Sequence, residues 1–312
     1  MKNLLCTIPL ALFFLMSHSV TSQTQTISIE YKRNDDHSVE FYYNKSVPGS
    51  YYLSLEFNQL ENSGYSGISR VVSNSKGYLF RLTPINPEKG IGFSYGYYYF
   101  RGNPEPKVDS LFTYCLPFKK NKGVDINESS NIGNTYLGFE KPSKWKSYIV
   151  FRKSPDTVCA MRKGVVVDLV NDFKTDKSLK YDFKSDMNSI LIEHDDGTFA
   201  SYRGFKQNSF LVTLGQTVYP QTELGTLDML GEDDYRLYFN IHYTQLKREI
   251  EDHLENKKSY SEYLTPYFIT TNGKTKLKQH EHYIVDCNET IFLKEFSKRE
   301  KKKYRKNPEL YK

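Results

Sequence analysis

Apolar and polar residues alternate in short runs along most of the chain, and Gly, Asn, Asp and Pro break the runs. Between residues 26 and 100, TISIEYKR, VEFYYN, YYLSLEFNQL, YLFRLTP and FSYGYYYF follow one another. A period of two turns successive side chains to opposite faces, as half-buried strands require. In YYLSLEF, Leu53, Leu55 and Phe57 form the dry set, and Tyr52, Ser54 and Glu56 the wet set. Five or more such runs between turns predict an antiparallel, immunoglobulin-like β-sandwich over residues 23–106. The tyrosines from Tyr95 to Phe100 suit a half-buried sheet, with a carbohydrate-binding face as the alternative. Gly102-Asn-Pro-Glu-Pro106 reads as a linker, because its two prolines limit helix and sheet alike.

A second β-rich region runs from about Leu111 to Tyr243, with GVVVDLV, SILIEHDDGTFASY and SFLVTLGQTV as its clearest strands. Residues 243–262, YTQLKREIEDHLENKKSYSE, are charged and read as a short helix or an insertion loop. FITTNGKTKLKQHEHYIVD reads as a hairpin turning at Asn272-Gly273, since Asn-Gly supplies the positive φ that tight hairpin turns need. The pattern as a whole predicts an all-β protein of two domains. A chain of 312 residues is long enough to build both around real cores.

Composition changes this picture at both ends. Lys2, an apolar run from Leu4 to Met16 and small polar residues to Ser22 have the form of a signal peptide over residues 1–22. The run is short for a bilayer span, so the expected product is exported and soluble, periplasmic or extracellular, with a retained anchor as the alternative. At the other end, Lys294 to Lys312 holds nine basic and three acidic residues, which accounts for the whole formal charge of +6. This basic tail, 294–312, is expected to be a solvated, frayed helix, with weak contact to an anionic surface as its functional alternative. The remainder is near neutral and carries no nucleic-acid-binding motif, so no nucleic-acid partner is expected. Cys115, Cys159 and Cys287 remain after the leader; one disulfide at most can form, and burial as small hydrophobes is expected for most of them. No cysteine pair has the spacing of a metal site.

Residues 157–225 carry an ordered set of short motifs. Val158-Cys-Ala-Met-Arg-Lys-Gly-Val-Val-Val167 sets a small-residue turn before a buried strand. Asn188-Ser-Ile-Leu-Ile-Glu-His-Asp-Asp-Gly197 runs into a tight turn, followed by Thr198-Phe-Ala-Ser-Tyr202, Val212-Thr-Leu-Gly-Gln-Thr-Val218 and Glu223-Leu-Gly225. This order resembles the core of the lysostaphin-like zinc endopeptidases, or duplicated hybrid motif. The resemblance covers roughly residues 111–243, with a C-terminal hairpin extension to about 293. It implies a zinc hydrolase of peptidoglycan cross-links. The metal would be held by a His and an Asp of one segment and by the second His of a His-x-His strand. The first His of that strand and the His of a Tyr-x-His-Leu motif would assist catalysis. Such a centre needs three ligands, an open water position and an imidazole to move the proton.

Position by position, the imidazoles are missing. Tyr-x-His-Leu falls on Tyr202-Arg203-Gly204-Phe205, and His-x-His-Phe on Arg236-Leu237-Tyr238-Phe239. The His/Asp segment falls in Lys141 to Lys153, which has neither residue type, and no histidine occurs between His37 and His194. Lys144, Lys146, Arg152, Arg203 and Arg236 would bring positive charge to the old metal site, repelling zinc and favouring an anion, or would fill a collapsed groove. The expectation is a degenerate member of the family, with no zinc, no other cofactor and no catalytic residue. Its binding cleft would be lined by Tyr202, Arg203, Arg236, Tyr238 and His242. The expected role is binding of a cell-wall peptide or glycan, or regulation of an envelope enzyme through protein contact. The alternatives are hydrolysis through non-standard residues such as Arg236, Tyr238 and His242, and a structural surface-interaction role.

Other candidates add little. His280-Glu281-His282 could place two imidazoles on one strand face, but without a third ligand a solvent-facing pair is expected. His194 borders Asp195-Asp196-Gly197, whose acids are explained by turn formation rather than calcium. No nucleophile elbow, phosphate-binding glycine loop or dinucleotide fingerprint occurs.

Overall fold

The structure, a computed structural model, describes residues 26–65, 67–129, 144–174, 187–231, 234–247 and 258–311. The leader at 1–22 lies outside the described residues. The fold is all-β, and among the described residues the helical segments are short and lie near the C-terminus. The first half consists of β1 (Ile27–Arg33), β2 (Val39–Lys45), β3 (Tyr51–Glu61), β4 (Gly67–Val72), β5 (Lys76–Leu82) and β6 (Gly92–Arg101). They pair as two three-stranded antiparallel sheets, β1-β2-β5 and β4-β3-β6.

Phe41 of β2 ties these sheets together. Its ring lies 4.7 Å from Phe80 of its own sheet, and 5.8 and 5.5 Å from Phe57 and Tyr95 of the other. Leu53 and Leu55 are buried, as their alternation predicts. Ser54 is buried as well, contrary to expectation. Its small side chain is flanked in register by Ser69 and Tyr98, and its Oγ lies 2.8 Å from that of Ser69. Tyr95, Tyr97 and Tyr99 pack against the core, and Tyr52 stacks on Phe100 at 5.0 Å. The linker is pressed against the second half. Gly102 has φ +103°, and a Cβ there would lie 2.8 Å from Thr244 Oγ1 and 3.0 Å from the Phe199 ring. Across the same junction Arg101 Nη1 donates to Val167 O at 2.6 Å, and Ser50 N to Glu193 Oε2 at 2.8 Å.

The second half begins with β7 (Thr113–Cys115), β8 (Gly123–Glu128), β9 (Tyr148–Arg152), β10 (Thr157–Cys159) and β11 (Gly164–Val170). It continues with β12 (Asn188–Glu193), β13 (Phe199–Phe205), β14 (Thr217–Val218), β15 (Glu223–Thr226), β16 (Met229–Gly231) and β17 (Asp234–Leu246). β18 (Ser259–Tyr263), β19 (Tyr267–Thr270), β20 (Gly273–Lys276) and β21 (His282–Ile284) follow. The main sheet has ten strands in the order β14-β11-β12-β13-β17-β9-β8-β21, with β16 and β18 also paired to β17. Ile190, Ile192, Ala200, Tyr202, Leu237, Phe239 and Ile241 are buried together on one side. Alternation leaves Ser201, Arg203, Arg236, Tyr238 and Asn240 on the other.

The connections bear out some expectations and correct others. The described ends of the charged stretch 243–262 are strand, β17 pairing with β18, because Tyr243 to Leu246 simply extend the neighbouring ladder. β19 and β20 form the expected hairpin, with Gly273 at φ +100°. His280 has φ 64° and sits in a turn, so it does not share a strand face with His282, whose Nδ1 is 2.8 Å from Asp125 Oδ1. Cys115 and Cys287 are joined in a disulfide across a sequence separation of 172, and among the described residues Cys159 is the one buried free thiol. The basic tail is docked rather than frayed. It holds α1 (Glu289–Phe292) and α2 (Lys298–Lys306), the latter started by a Ser297/Glu300 capping box. Phe296 and Tyr311 are buried against Tyr219, with ring centroids 4.7 and 4.8 Å from it.

Candidate functional site

The six positions singled out in the sequence lie on two adjacent strands. β13 and β17 pair with Arg203 opposite Tyr238, Tyr202 opposite Phe239 and Phe199 opposite His242. Tyr202, however, faces the core and not a cleft. It is fully buried, its hydroxyl accepts from Met161 N at 2.9 Å, and burial pushes its phenol pKa up. Gly204 has φ +110°, and a Cβ on it would stand 2.1 Å from the Arg236 carbonyl oxygen. Its own carbonyl accepts from Asp228 N at 2.9 Å. Only glycine tolerates that φ and that approach.

Of the five cations expected either to make this face positive or to fill a collapsed groove, Arg236, Lys146, Lys144 and Arg152 are paired with carboxylates. Arg236 forms a fork with Asp234, Nε to Oδ1 at 3.1 Å and Nη2 to Oδ2, and its guanidinium lies 5.1 Å from the Phe151 ring centre. Lys146 pairs with Glu128, Lys144 with Glu262 at 2.8 Å, and Arg152 with Asp156 at 3.3 Å. Arg203 is exposed, and its charge reaches Tyr263, whose phenol burial pushes up and Arg203 pulls down. His242 packs between Phe199 at 5.6 Å and Tyr263 at 5.8 Å, with Nδ1 2.9 Å from Asn240 Oδ1. Burial lowers its pKa to about 4, so the ring is neutral near pH 7.

This donor set does not fit a zinc ion. Gly204 has no side chain, Arg236 offers only donors on a cation, and Tyr202 points into the core. Among the described residues no group of three or more His, Cys, Asp or Glu side chains is placed to hold a metal.

A buried polar network behind the neighbouring hairpin was not read from the sequence. Arg162, only 3 % exposed, donates to Asp196 Oδ2 at 2.8 Å, Glu295 Oε1 at 2.6 Å and the Tyr114 hydroxyl at 3.1 Å. Its guanidinium lies 3.7 Å from the centre of the Phe112 ring. Thr198 Oγ1 donates to Asp196 Oδ1 at 2.7 Å and lies 2.9 Å from His194 Nδ1. Burial, then Arg162, hold the His194 pKa well below the ordinary imidazole range. Burial raises the Asp196 carboxyl, but Arg162 and Thr198 outweigh it and the net shift is downward. The Asp195-Asp196-Gly197 turn is therefore explained by structure: Asp196 anchors Arg162, and Gly197 supplies φ +84°.

Two cavities flank these elements. A cleft of ≈ 660 Å³ lies between the Pro48–Ser50 loop of the first half and the His194–Gly197 turn. A groove of ≈ 430 Å³ is lined by Leu111, Phe112, Trp145, Tyr263 and Tyr267, with Ser110, Thr265 and Lys276 among its polar residues. Trp145 Nε1 donates to Ser129 O at 2.9 Å and its ring lies 4.7 Å from that of Tyr263. Lys276 Nζ stands 5.0 Å from the centre of the Tyr267 ring.

No protein-family model matches the chain, and no curated protein matches its sequence. Among solved structures, one described as a peptidase M23 from Pseudomonas aeruginosa is similar at 15% identity and a TM-score of 0.26, covering 64% of this chain and 89% of that one. A zinc-containing peptidase from Vibrio cholerae is similar at 12% identity and a TM-score of 0.24, covering 68% of this chain and 81% of that one. Likeness at this level assigns neither a family nor an activity to the chain.

Proposed function

We propose that the chain is an exported, non-catalytic wall-binding protein, built on a frame that resembles the lysostaphin-like domain and used to hold a cell-wall glycan rather than to cut cross-links. The observation that carries this reading is the employment of the matched positions in the frame itself. Gly204 accommodates the Arg236 carbonyl, the Arg236 guanidinium is engaged by Asp234, and Tyr202 caps Met161 N. Export rests on the form of residues 1–22.

The aromatic groove supports a glycan ligand. Its volume of ≈ 430 Å³ suits a short saccharide, Trp145 and Tyr263 give apolar ring surface, and Ser110, Thr265 and Lys276 supply hydrogen-bonding groups for hydroxyls. Trp145 is the single tryptophan of the chain, so its fluorescence reports on this groove alone. Titration with soluble wall-derived oligosaccharides is expected to shift the Trp145 emission, and Tyr263→Ala to weaken that response. Metal analysis and a sacculus digestion assay on the same protein test the non-catalytic part. Stoichiometric zinc together with cleavage overturns it. Absence of any fluorescence response or sacculus binding moves the role to regulation of an envelope enzyme through protein contact.

A further inference from the structure

The C-terminal segment separates its charges by sign. Glu295 turns inward to Arg162 at 2.6 Å, and Glu300 to Lys163 at 3.0 Å and to the Tyr219 hydroxyl at 2.8 Å. Glu300 also accepts from Ser297 N at 2.7 Å, which fixes the start of α2. The aromatic side chains turn inward too: Phe296, Tyr304 and Tyr311 pack on one another, and Phe296 and Tyr311 on Tyr219. Lys298, Lys301, Lys302, Arg305 and Lys306 are left facing outward, at the i, i+3, i+4, i+7, i+8 spacing of one helix face. These five side chains alone line a hollow of ≈ 520 Å³. Among the described residues, none of them is in an ion pair with a carboxylate.

We propose that this face of α2 docks the protein on an anionic lipid bilayer. Charge complementarity selects an anionic partner. The stripe of cations, about 13 Å long for nine residues at the usual helical rise, presents them side by side to a planar array of phosphate headgroups. The hollow among the five takes one such headgroup. With its aromatic residues committed to the protein core, the helix offers nothing apolar to insert, so the contact is peripheral, electrostatic and sensitive to salt. The hold of Glu295 on Arg162 and of Glu300 on Lys163 and Tyr219, in the turns that join the strands beneath, keeps the stripe rigid, and it needs no folding on contact. This inference stands apart from the glycan reading, which concerns the Trp145 groove.

The test is co-sedimentation with vesicles of phosphatidylglycerol in phosphatidylcholine, using the full chain and residues 23–312, which contain every described residue. Binding is expected with phosphatidylglycerol and not with phosphatidylcholine alone, and is expected to vanish at 0.5 M salt (on the order of a 4 Å Debye length). The combined Lys301→Gln, Lys302→Gln, Arg305→Gln variant should lower partitioning on the order of 100-fold, from about fivefold for each surface cation. Glutamine keeps the helix propensity high, and unchanged circular dichroism confirms the fold. A matched variant of the first half, Lys32→Gln, Lys76→Gln, Lys89→Gln, removes the same net charge and should leave partitioning within about threefold, since none of these lysines belongs to α2 or lines its hollow. Equal loss in both variants, equal binding to phosphatidylcholine, or binding to inorganic polyphosphate without binding to vesicles each overturns the proposal.

Discussion

Restoring the missing histidine at Gly204 is expected to damage the fold and to restore nothing. A Cβ at this position would stand 2.1 Å from Arg236 O, against a practical limit of 3.0 Å, so β13 and β17 would have to part by the difference. The Arg203–Tyr238 pair sits beside this point, and Gly204 itself is buried. Positive φ on a bulky residue costs about 1–3 kcal/mol. Leaving one buried backbone group of the ladder unpaired adds about 1–3 kcal/mol. Gly204→Ala and Gly204→His should therefore each destabilise by about 2–6 kcal/mol, a large part of the stability of a typical domain. Urea unfolding followed by circular dichroism measures this as a lower midpoint with an unchanged m value, and Ser201→Ala on the same strand should stay within about 0.5 kcal/mol. A Gly204→His protein as stable as its parent that also binds zinc would refute the reasoning. It would mean that the backbone accepts the imidazole and that the site lacks only side chains.

Further perturbations test the rest of the frame. Arg162→Met leaves Asp196 and Glu295 without their buried cation and should cost about 3–5 kcal/mol in the same unfolding assay. His242 has a folded pKa of about 4, below the 6.5 of the free side chain, so the unfolded chain binds the extra proton between these values. Stability is thus expected to fall as pH drops from about 6.5 to about 4, a loss that His242→Gln should reduce, with the imidazole titration by NMR locating the folded pKa. Cys159, whose thiol burial pushes up to about 12, should resist a thiol reagent at neutral pH until the protein unfolds. Cys287→Ser opens the loop closed with Cys115 and should lower stability by about 2–4 kcal/mol, read as a shift in thermal midpoint.

Much of the architecture was legible from the chain alone. Strand alternation depends on neighbours two residues apart, so Leu53 and Leu55 could be assigned to a buried face without knowing what covers them. The absence of histidine and acid from Lys141–Lys153 was equally plain, because residue types need no coordinates. The Asn-Gly hairpin followed from turn chemistry confined to a few residues.

What surrounds a side chain across the sheet was not legible. Ser54 looked wet until Ser69 and Tyr98 were found beside it, and Tyr202 looked like a cleft residue until its hydroxyl was found on Met161 N. The partners of Arg162 lie 34, 48 and 133 residues away, separations over which no local pattern carries information. For the same reason the tail read as a frayed run of charge, whereas its acids and aromatics are drawn inward by Arg162, Lys163 and Tyr219. The sequence by itself determined the strands and the missing imidazoles, because periodicity and residue type are local. Only the tertiary structure decided that Gly204 must be glycine, that Arg236 is neutralised and that α2 shows a purely cationic face, because each depends on atoms brought close by distant segments.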